Sequence, residues 1–345
     1  MKAAILVEQK KPLVITDISL PCKLQYGQVL VKVICSSICG SQIGEIDGVK
    51  GTDKFLPHLL GHEGGGIVLE TGHGVTRVKK DDHVVLHWRK GFGIESPTPK
   101  YNWDHKIVNA GWVTTFNEYA VVSENRLTII PKDVDFEIAA LLGCAVTTGL
   151  GVINNNVRLK IGESIAVFGT GGVGLSIIQG AALVSANPII AIDIYDHKLK
   201  LAKEFGATHV INPSKINVKE EIYKIVDNQG VAAAVDSTGV VKVIEQAYEI
   251  TSPNGRTILV GVQRYNEKAS IYPLPLYFGK VLIGSHGGES NPSEDIPRYI
   301  NLIKSGRIEF KKMITHRFAL DEINLAIEKF RQGETVRCMI NILEN

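Results

Sequence analysis

The stretch that decides the fold runs Ser164-Ile-Ala-Val-Phe168-Gly169-Thr-Gly171-Gly172-Val173-Gly174. It continues through a small-residue segment to Ser185 and an apolar run, Pro188-Ile-Ile-Ala-Ile192, that ends on Asp193. An apolar strand, a glycine turn, a helix and a second strand closed by an acid is the order a dinucleotide-binding βαβ unit requires. Gly169 is expected to form the tight turn, Gly171 to let backbone approach a pyrophosphate, and Gly174 to let the helix lie close on the sheet. Gly172 and Val173 belong to the turn, and the helix expected after it, from Leu175 to Ser185, offers unpaired N–H groups and partial positive charge to phosphates. Asp193 stands where a carboxylate accepts hydrogen bonds from the adenosine ribose. Its charge would repel a 2′-phosphate, and Ile194 and Tyr195, not an arginine, follow it, so the expected cofactor is NAD rather than NADP. A loop that merely needs positive φ would explain the glycines but not the flanking strands, helix and acid.

Outward from this unit, apolar strands and helices alternate, which is the signature of a doubly wound parallel sheet. Strands are expected at 165–168, 189–192, 209–211, 232–236, 257–260 and 281–284. Before about Val122 the pattern is short β-branched runs between glycine and charged turns, such as Val29-Leu-Val-Lys-Val33 and His83-Val-Val-Leu-His87, which predicts an all-β unit. Residues 137–142, and those from Cys144 on, read as helical. After Asn291 the chain offers a helix (295–305), a strand, a helix (321–332) and a last strand (337–343). Residues 88–111, with two prolines and mixed charge, read as a long surface loop.

The 345 residues are enough for two domains. A formal net charge of +2 provides no basic field for nucleic acid. No segment reaches the roughly 20 apolar residues of a membrane span, and the N-terminal apolar run is too short for a signal peptide, so a cytoplasmic enzyme is expected. Five cysteines, an odd number in a chain this long, argue against a disulfide framework. Cys22, Cys35 and Cys338 read as small buried hydrophobes. Cys39-Gly-Ser41-Gln42, Gly61-His62-Glu63 and Gly143-Cys144 carry a different chemistry. Two thiolates and an imidazole make a three-ligand zinc set with a fourth position open, and such a zinc is a Lewis acid. Each residue alone reads equally as a core cysteine or a buried histidine, and spacing does not bring them together.

Taken with the glycine turn, these segments and the ending Gly333-Glu-Thr-Val-Arg337 resemble the zinc-dependent medium-chain alcohol dehydrogenases, in the same order and over essentially the whole chain. The resemblance implies a GroES-like β-barrel catalytic domain from residues 1–146 and 286–345, and a Rossmann domain from 147–285. It implies one catalytic zinc on Cys39, His62 and Cys144, with Glu63 behind the metal and in some relatives joining it. Ser41 matches the hydroxyl that passes the substrate proton outward. Thr148, Val260 and Val262 match residues against the nicotinamide, Lys198 an adenosine-ribose contact, and Arg337 a pyrophosphate-binding arginine. The implied reaction is reversible hydride transfer between an alcohol and NAD, in a homodimer or homotetramer that pairs strands near Val281.

The chain departs from the pattern in three places. Gln42 stands where relatives carry an aspartate that accepts the N–H of the zinc-binding histidine, a contact the amide is expected to supply without charge. Gly44 replaces the histidine that ends the proton relay. The four-cysteine lobe for a structural zinc is absent, because residues 88–111 contain no cysteine. Two other readings compete: a zinc-free quinone or enone reductase of the same fold, and a non-catalytic dinucleotide-binding protein. For the substrate, Trp88 falls at an aromatic pocket wall, and Ser285 and His286 suggest polar lining suited to a polyol or sugar derivative. Arg89, Lys90, Lys100 and Lys106 are candidates to meet an anionic group, or simply a solvated basic surface.

Overall fold

The computed structural model describes residues 1–343 and divides the chain into two compact units, Met1–Thr147 with Asn291–Asn345, and Thr148–Ser290. The boundaries expected from the sequence stood at 146/147 and 285/286.

In the second unit, six strands form one parallel sheet: Ile165–Phe168, Ile189–Ile192, His209–Ile211, Val231–Asp236, Thr251–Leu259 and Val281–Gly284. Numbered by chain position, their order across the sheet is third, second, first, fourth, fifth, sixth. The order reverses between the first and fourth strands, which is where open α/β sheets bind ligands. Every residue of the first two strands is buried, as expected of strands covered by helices on both faces. Phe168, Ile190, Ile192, Ile222 and Ile250 are among the side chains that join sheet and helices in one apolar core. Asn217 caps the helix Val218–Ile225 by accepting from the Glu220 N–H.

The first unit is built on the ten-residue strand Gln28–Ser37. It pairs antiparallel with Glu63–Thr71, Tyr119–Ser123 and the C-terminal strand Arg337–Asn341 in a seven-stranded sheet. The end of the chain thus returns to the N-terminal half, and Ile314–Ala319 lies parallel beside it. This unit is not all β. Helices Gly40–Ile46, Phe136–Leu142, Pro292–Lys304 and Ile323–Arg331 belong to it.

A second, five-stranded sheet corrects the expectation of a long surface loop. Lys100–Trp103 and Lys106–Asn109 form an antiparallel hairpin, and Tyr101 and Val108 bury their side chains in an apolar cluster with Ile5, Ile18 and Leu59. The turn, Asp104-His105, contains no glycine. Both residues nonetheless take left-handed backbone, with φ of 47° and 64°, a conformation that Asp and His tolerate better than most side chains. Without the usual turn glycine, and with lysines opening both strands, the hairpin is masked in the sequence.

Candidate metal and cofactor sites

The three metal-ligating side chains arrive from three separate parts of the first unit. Cys39 follows the strand Gln28–Ser37 in extended backbone and precedes the helix Gly40–Ile46. His62 lies just before the strand Glu63–Thr71, and Cys144 just after the helix Phe136–Leu142, whose N-terminus is capped by Asp135. Their ligand atoms all lie within 4.8 Å of one another. Cys144 is buried, while Cys39 and His62 are partly exposed. The backbone behind them is pinned, since the Glu63 carbonyl accepts from the hydroxyls of Ser36 at 2.9 Å and Thr115 at 3.2 Å.

The residues fit a metal. His62 Nε2 is buried and has no hydrogen-bond partner among the described residues, a state that costs free energy unless something satisfies the nitrogen. Two sulfurs and an imidazole are zinc's preferred donors. The electrostatics agree: the hydrogen bond from Cys144 lowers the pKa of Cys39 well below the thiol range and raises that of Cys144. Burial works against a charge on His62, but the Cys39 sulfur raises its pKa. A divalent cation held here would take both sulfurs as thiolates, with release of the thiol proton. Ser41 Oγ donates to the Cys39 sulfur at 3.5 Å, beside the site.

Glu63, expected behind the metal, lies outside the group of three converging side chains, and its buried Oε2 has no hydrogen-bond partner among the described residues. Its Oε1 accepts from the Arg337 guanidinium in a pair that is 0% and 3% exposed at the side chains. Burial pushes Glu63 up to about 7, with Arg337 opposing. Burial likewise works against the charge on Arg337, yet Glu63 and the two sulfurs raise its pKa above its ordinary value. The guanidinium expected to reach a pyrophosphate is thus turned toward Glu63. Sequence reading named both residues but not the pair, which no spacing signals.

Gln42 also differs from its expected role. It does not accept from His62. Its Oε1 accepts the backbone N–H of Gly61, and its Nε2 donates to Glu45 Oε2 at 3.1 Å. Trp88 lies edge-on to His62, ring centroids 6.5 Å apart, and the Arg89 guanidinium sits 5.9 Å from the Trp88 ring. Two buried groups fix this segment: the His87 ring bonds the Arg89 carbonyl at 2.7 Å, and Arg126 donates to the Trp88 carbonyl. Of the basic residues named from the sequence, Lys90 pairs with Glu95, and Lys106 lies over Trp103.

In the second unit the glycine turn sits at the C-terminal end of the first strand and leads into the helix Gly172–Leu183. Gly169 has φ of 86°. A side chain at Gly174 would stand 1.9 Å from the carbonyl oxygen of Gly169, the residue that follows the first strand, so glycine is needed where the helix meets the end of that strand. Open space surrounds the Cβ direction of Gly171, with nothing within 4 Å. Asp193 is held by the turn: its Oδ2 accepts from Thr170 N at 2.8 Å and Thr170 Oγ1 at 2.9 Å, and its Oδ1 from Tyr195 N at 3.0 Å. Lys198 stacks over Tyr195 at 4.7 Å. Thr148 is buried and Val262 is 49% exposed. Ser285 Oγ donates to Asn156 at 2.8 Å and accepts from Gly288 N, which commits its hydroxyl to its own turn.

A doubly wound nucleotide-binding sheet in a chain that also gathers two cysteines and a histidine defines a zinc-dependent dehydrogenase. Family models agree: residues 25–132 match the alcohol dehydrogenase GroES-like domain, and residues 172–305 match the zinc-binding dehydrogenase. The chain is 32% identical to S-(hydroxymethyl)glutathione dehydrogenase of Paracoccus denitrificans over 372 aligned residues, covering 98% of this chain and 99% of that protein. It is 31% identical to the class-3 alcohol dehydrogenase of Cereibacter sphaeroides, with the same coverage. Among solved structures, benzyl alcohol dehydrogenase from Acinetobacter calcoaceticus superposes with a TM-score of 0.90 at 30% identity, over 99% of each chain. The chain belongs to the zinc-dependent medium-chain alcohol dehydrogenases and is an oxidoreductase of alcohols. No single helix among the described residues is long and apolar enough to cross a membrane.

Proposed function

We propose that the chain holds one zinc ion on Cys39, His62 and Cys144, binds NAD at the turn Gly169–Gly174, and interconverts an alcohol with its aldehyde or ketone. The observation that carries this reading is the convergence of two sulfurs and an imidazole within 4.8 Å, in a chain whose other unit presents an open glycine turn. The same convergence disfavours a zinc-free reductase. When bound, zinc supplies a Lewis acid for the hydroxyl and the nicotinamide a hydride acceptor. Ser41 Oγ takes the hydroxyl proton and passes it toward solvent. With glycine at 44 no side chain there continues the relay. Asp193, oriented by Thr170, accepts from the ribose and disfavours NADP, with Lys198 alongside it. Thr148, Val260 and Val262 contact the nicotinamide. Arg337 anchors Glu63 behind the metal.

For the substrate, the Trp88 ring against His62 favours an alcohol with a flat apolar substituent. A polyol is less well supported, because the Ser285 hydroxyl is already committed. The absence of cysteine from residues 88–111 supports a single catalytic zinc with no structural one. A homo-oligomer in the cytoplasm completes the reading. Among the described residues the strand Val281–Gly284 pairs on one side only, with Thr251–Leu259, and is preceded by exposed Tyr277 and Phe278; such a sheet edge can pair with a partner strand.

The test is zinc content and alcohol turnover in Cys144→Ala. Loss of both is expected, whereas full NAD-dependent turnover in a zinc-free variant would refute the assignment.

A further inference from the structure

We propose that Gln42 is a positioning residue for the metal site, acting through the Gly61 peptide rather than through the His62 ring. Gln42 is only 4% exposed and lies on the helix that starts one residue after Cys39. Its amide spans two fixed partners. The Gly61 N–H can only donate and the Glu45 carboxylate accepts, so Oε1 must face Gly61 and Nε2 must face Glu45. Lys50 lies 3.4 Å from the other Glu45 oxygen, which extends the chain of contacts to the surface. One side chain therefore ties the helix beginning beside Cys39 to the peptide immediately before His62, bridging two ligand-bearing segments through protein atoms alone.

The arrangement accounts for glutamine at this position. An acid at 42 would still accept from Gly61 but would face the Glu45 carboxylate. It also predicts a specific rescue, since exchanging the two groups keeps both contacts: a carboxylate at 42 still accepts from Gly61, and the second bond reverses, with the amide at 45 donating to the carboxylate at 42. A role through the His62 ring would not give that rescue.

The experiment loads the full-length protein with zinc and follows metal transfer to 4-(2-pyridylazo)resorcinol. Gln42→Met keeps the side-chain volume and removes both hydrogen bonds. Zinc release is expected to be about tenfold faster or more, the range typical of lost support behind a ligand. Gln42→Glu should also release faster, and Gln42→Glu with Glu45→Gln should return to within about threefold of wild type. Hydrogen exchange over residues 59–64 in the metal-free protein should rise in Gln42→Met and recover in the exchanged pair. Release from Gln42→Met within twofold of wild type, or an exchanged pair as fast as Gln42→Met, overturns the proposal. If Gln42→Met does not fold, Gln42→Glu is the comparator, and an exchanged pair that releases zinc as fast as Gln42→Glu overturns the proposal. The inference rests on zinc at Cys39, His62 and Cys144: a wild-type chain that takes up no zinc overturns both readings, whereas unchanged release in a zinc-loaded variant overturns only the role of Gln42.

Discussion

Adding one methyl group at Gly143 tests whether the main chain places Cys144. A Cβ there would stand 2.5 Å from the Leu86 carbonyl oxygen and 2.9 Å from Glu63 Cα. These atoms belong to the paired strands Glu63–Thr71 and His83–His87, so neither can rotate aside as a side-chain tip would. Ordinary contact begins at 3.4 Å, so the segment carrying Cys144 must retreat by about 0.9 Å (3.4 − 2.5). Metal sites tolerate departures of roughly 0.2 Å in ligand distance. The displacement is therefore several times what the Cys144 sulfur can absorb while staying bonded. Gly143→Ala is expected to lose about 1–3 kcal/mol of stability by overpacking and to release zinc at least tenfold faster to a chelator. The assay pairs metal content per chain with release kinetics and a thermal melt. A variant that melts earlier yet releases zinc at the wild-type rate would refute the reasoning, since the strain would then be absorbed away from the ligand.

Gly44→Ala has the opposite expectation. A methyl there meets Val49 at an ordinary 3.6 Å, and alanine is favoured over glycine inside a helix by roughly 1 kcal/mol, so the urea midpoint should rise; a fall would refute it. His87 supplies a pH dependence. Burial lowers its pKa from 6.5 to about 4, while its ring bonds the Arg89 carbonyl and Thr128. The folded state thus binds fewer protons than the unfolded state between those values, and stability falls as pH drops from 6.5 toward 4. From pH 7 to pH 5 the loss is about 2 kcal/mol, and it should vanish in His87→Gln. Equal pH dependence in both proteins, read from urea midpoints, would sink that account.

Much of the second unit was legible because its signals are local. A run such as Ile165-Ala-Val-Phe168 followed by three spaced glycines constrains its own backbone, and Asp193 is fixed by the end of the next strand. Parallel strands buried on both faces read as continuous apolar runs whatever lies beside them. The hairpin at 100–109 escapes for the converse reason: its turn uses Asp104 and His105 in place of glycine, and its burial comes from Ile5 and Leu59, which lie 96 and 42 positions before Tyr101 (101 − 5 and 101 − 59).

The sequence by itself determined the order of ligand-bearing segments, the glycine turn and the acid that follows it. The resemblance carried by those segments implied Cys39, His62 and Cys144 as donors, since residue type alone does not separate them from Cys22, Cys35 and Cys338. Tertiary structure decided where those donors stand and what supports them. The Glu63–Arg337 pair joins residues 274 positions apart, and Gln42 meets a peptide 19 positions away instead of the His62 ring. Such contacts depend on which strands lie side by side and on which groups burial forces to find a partner, and neither is written in local spacing.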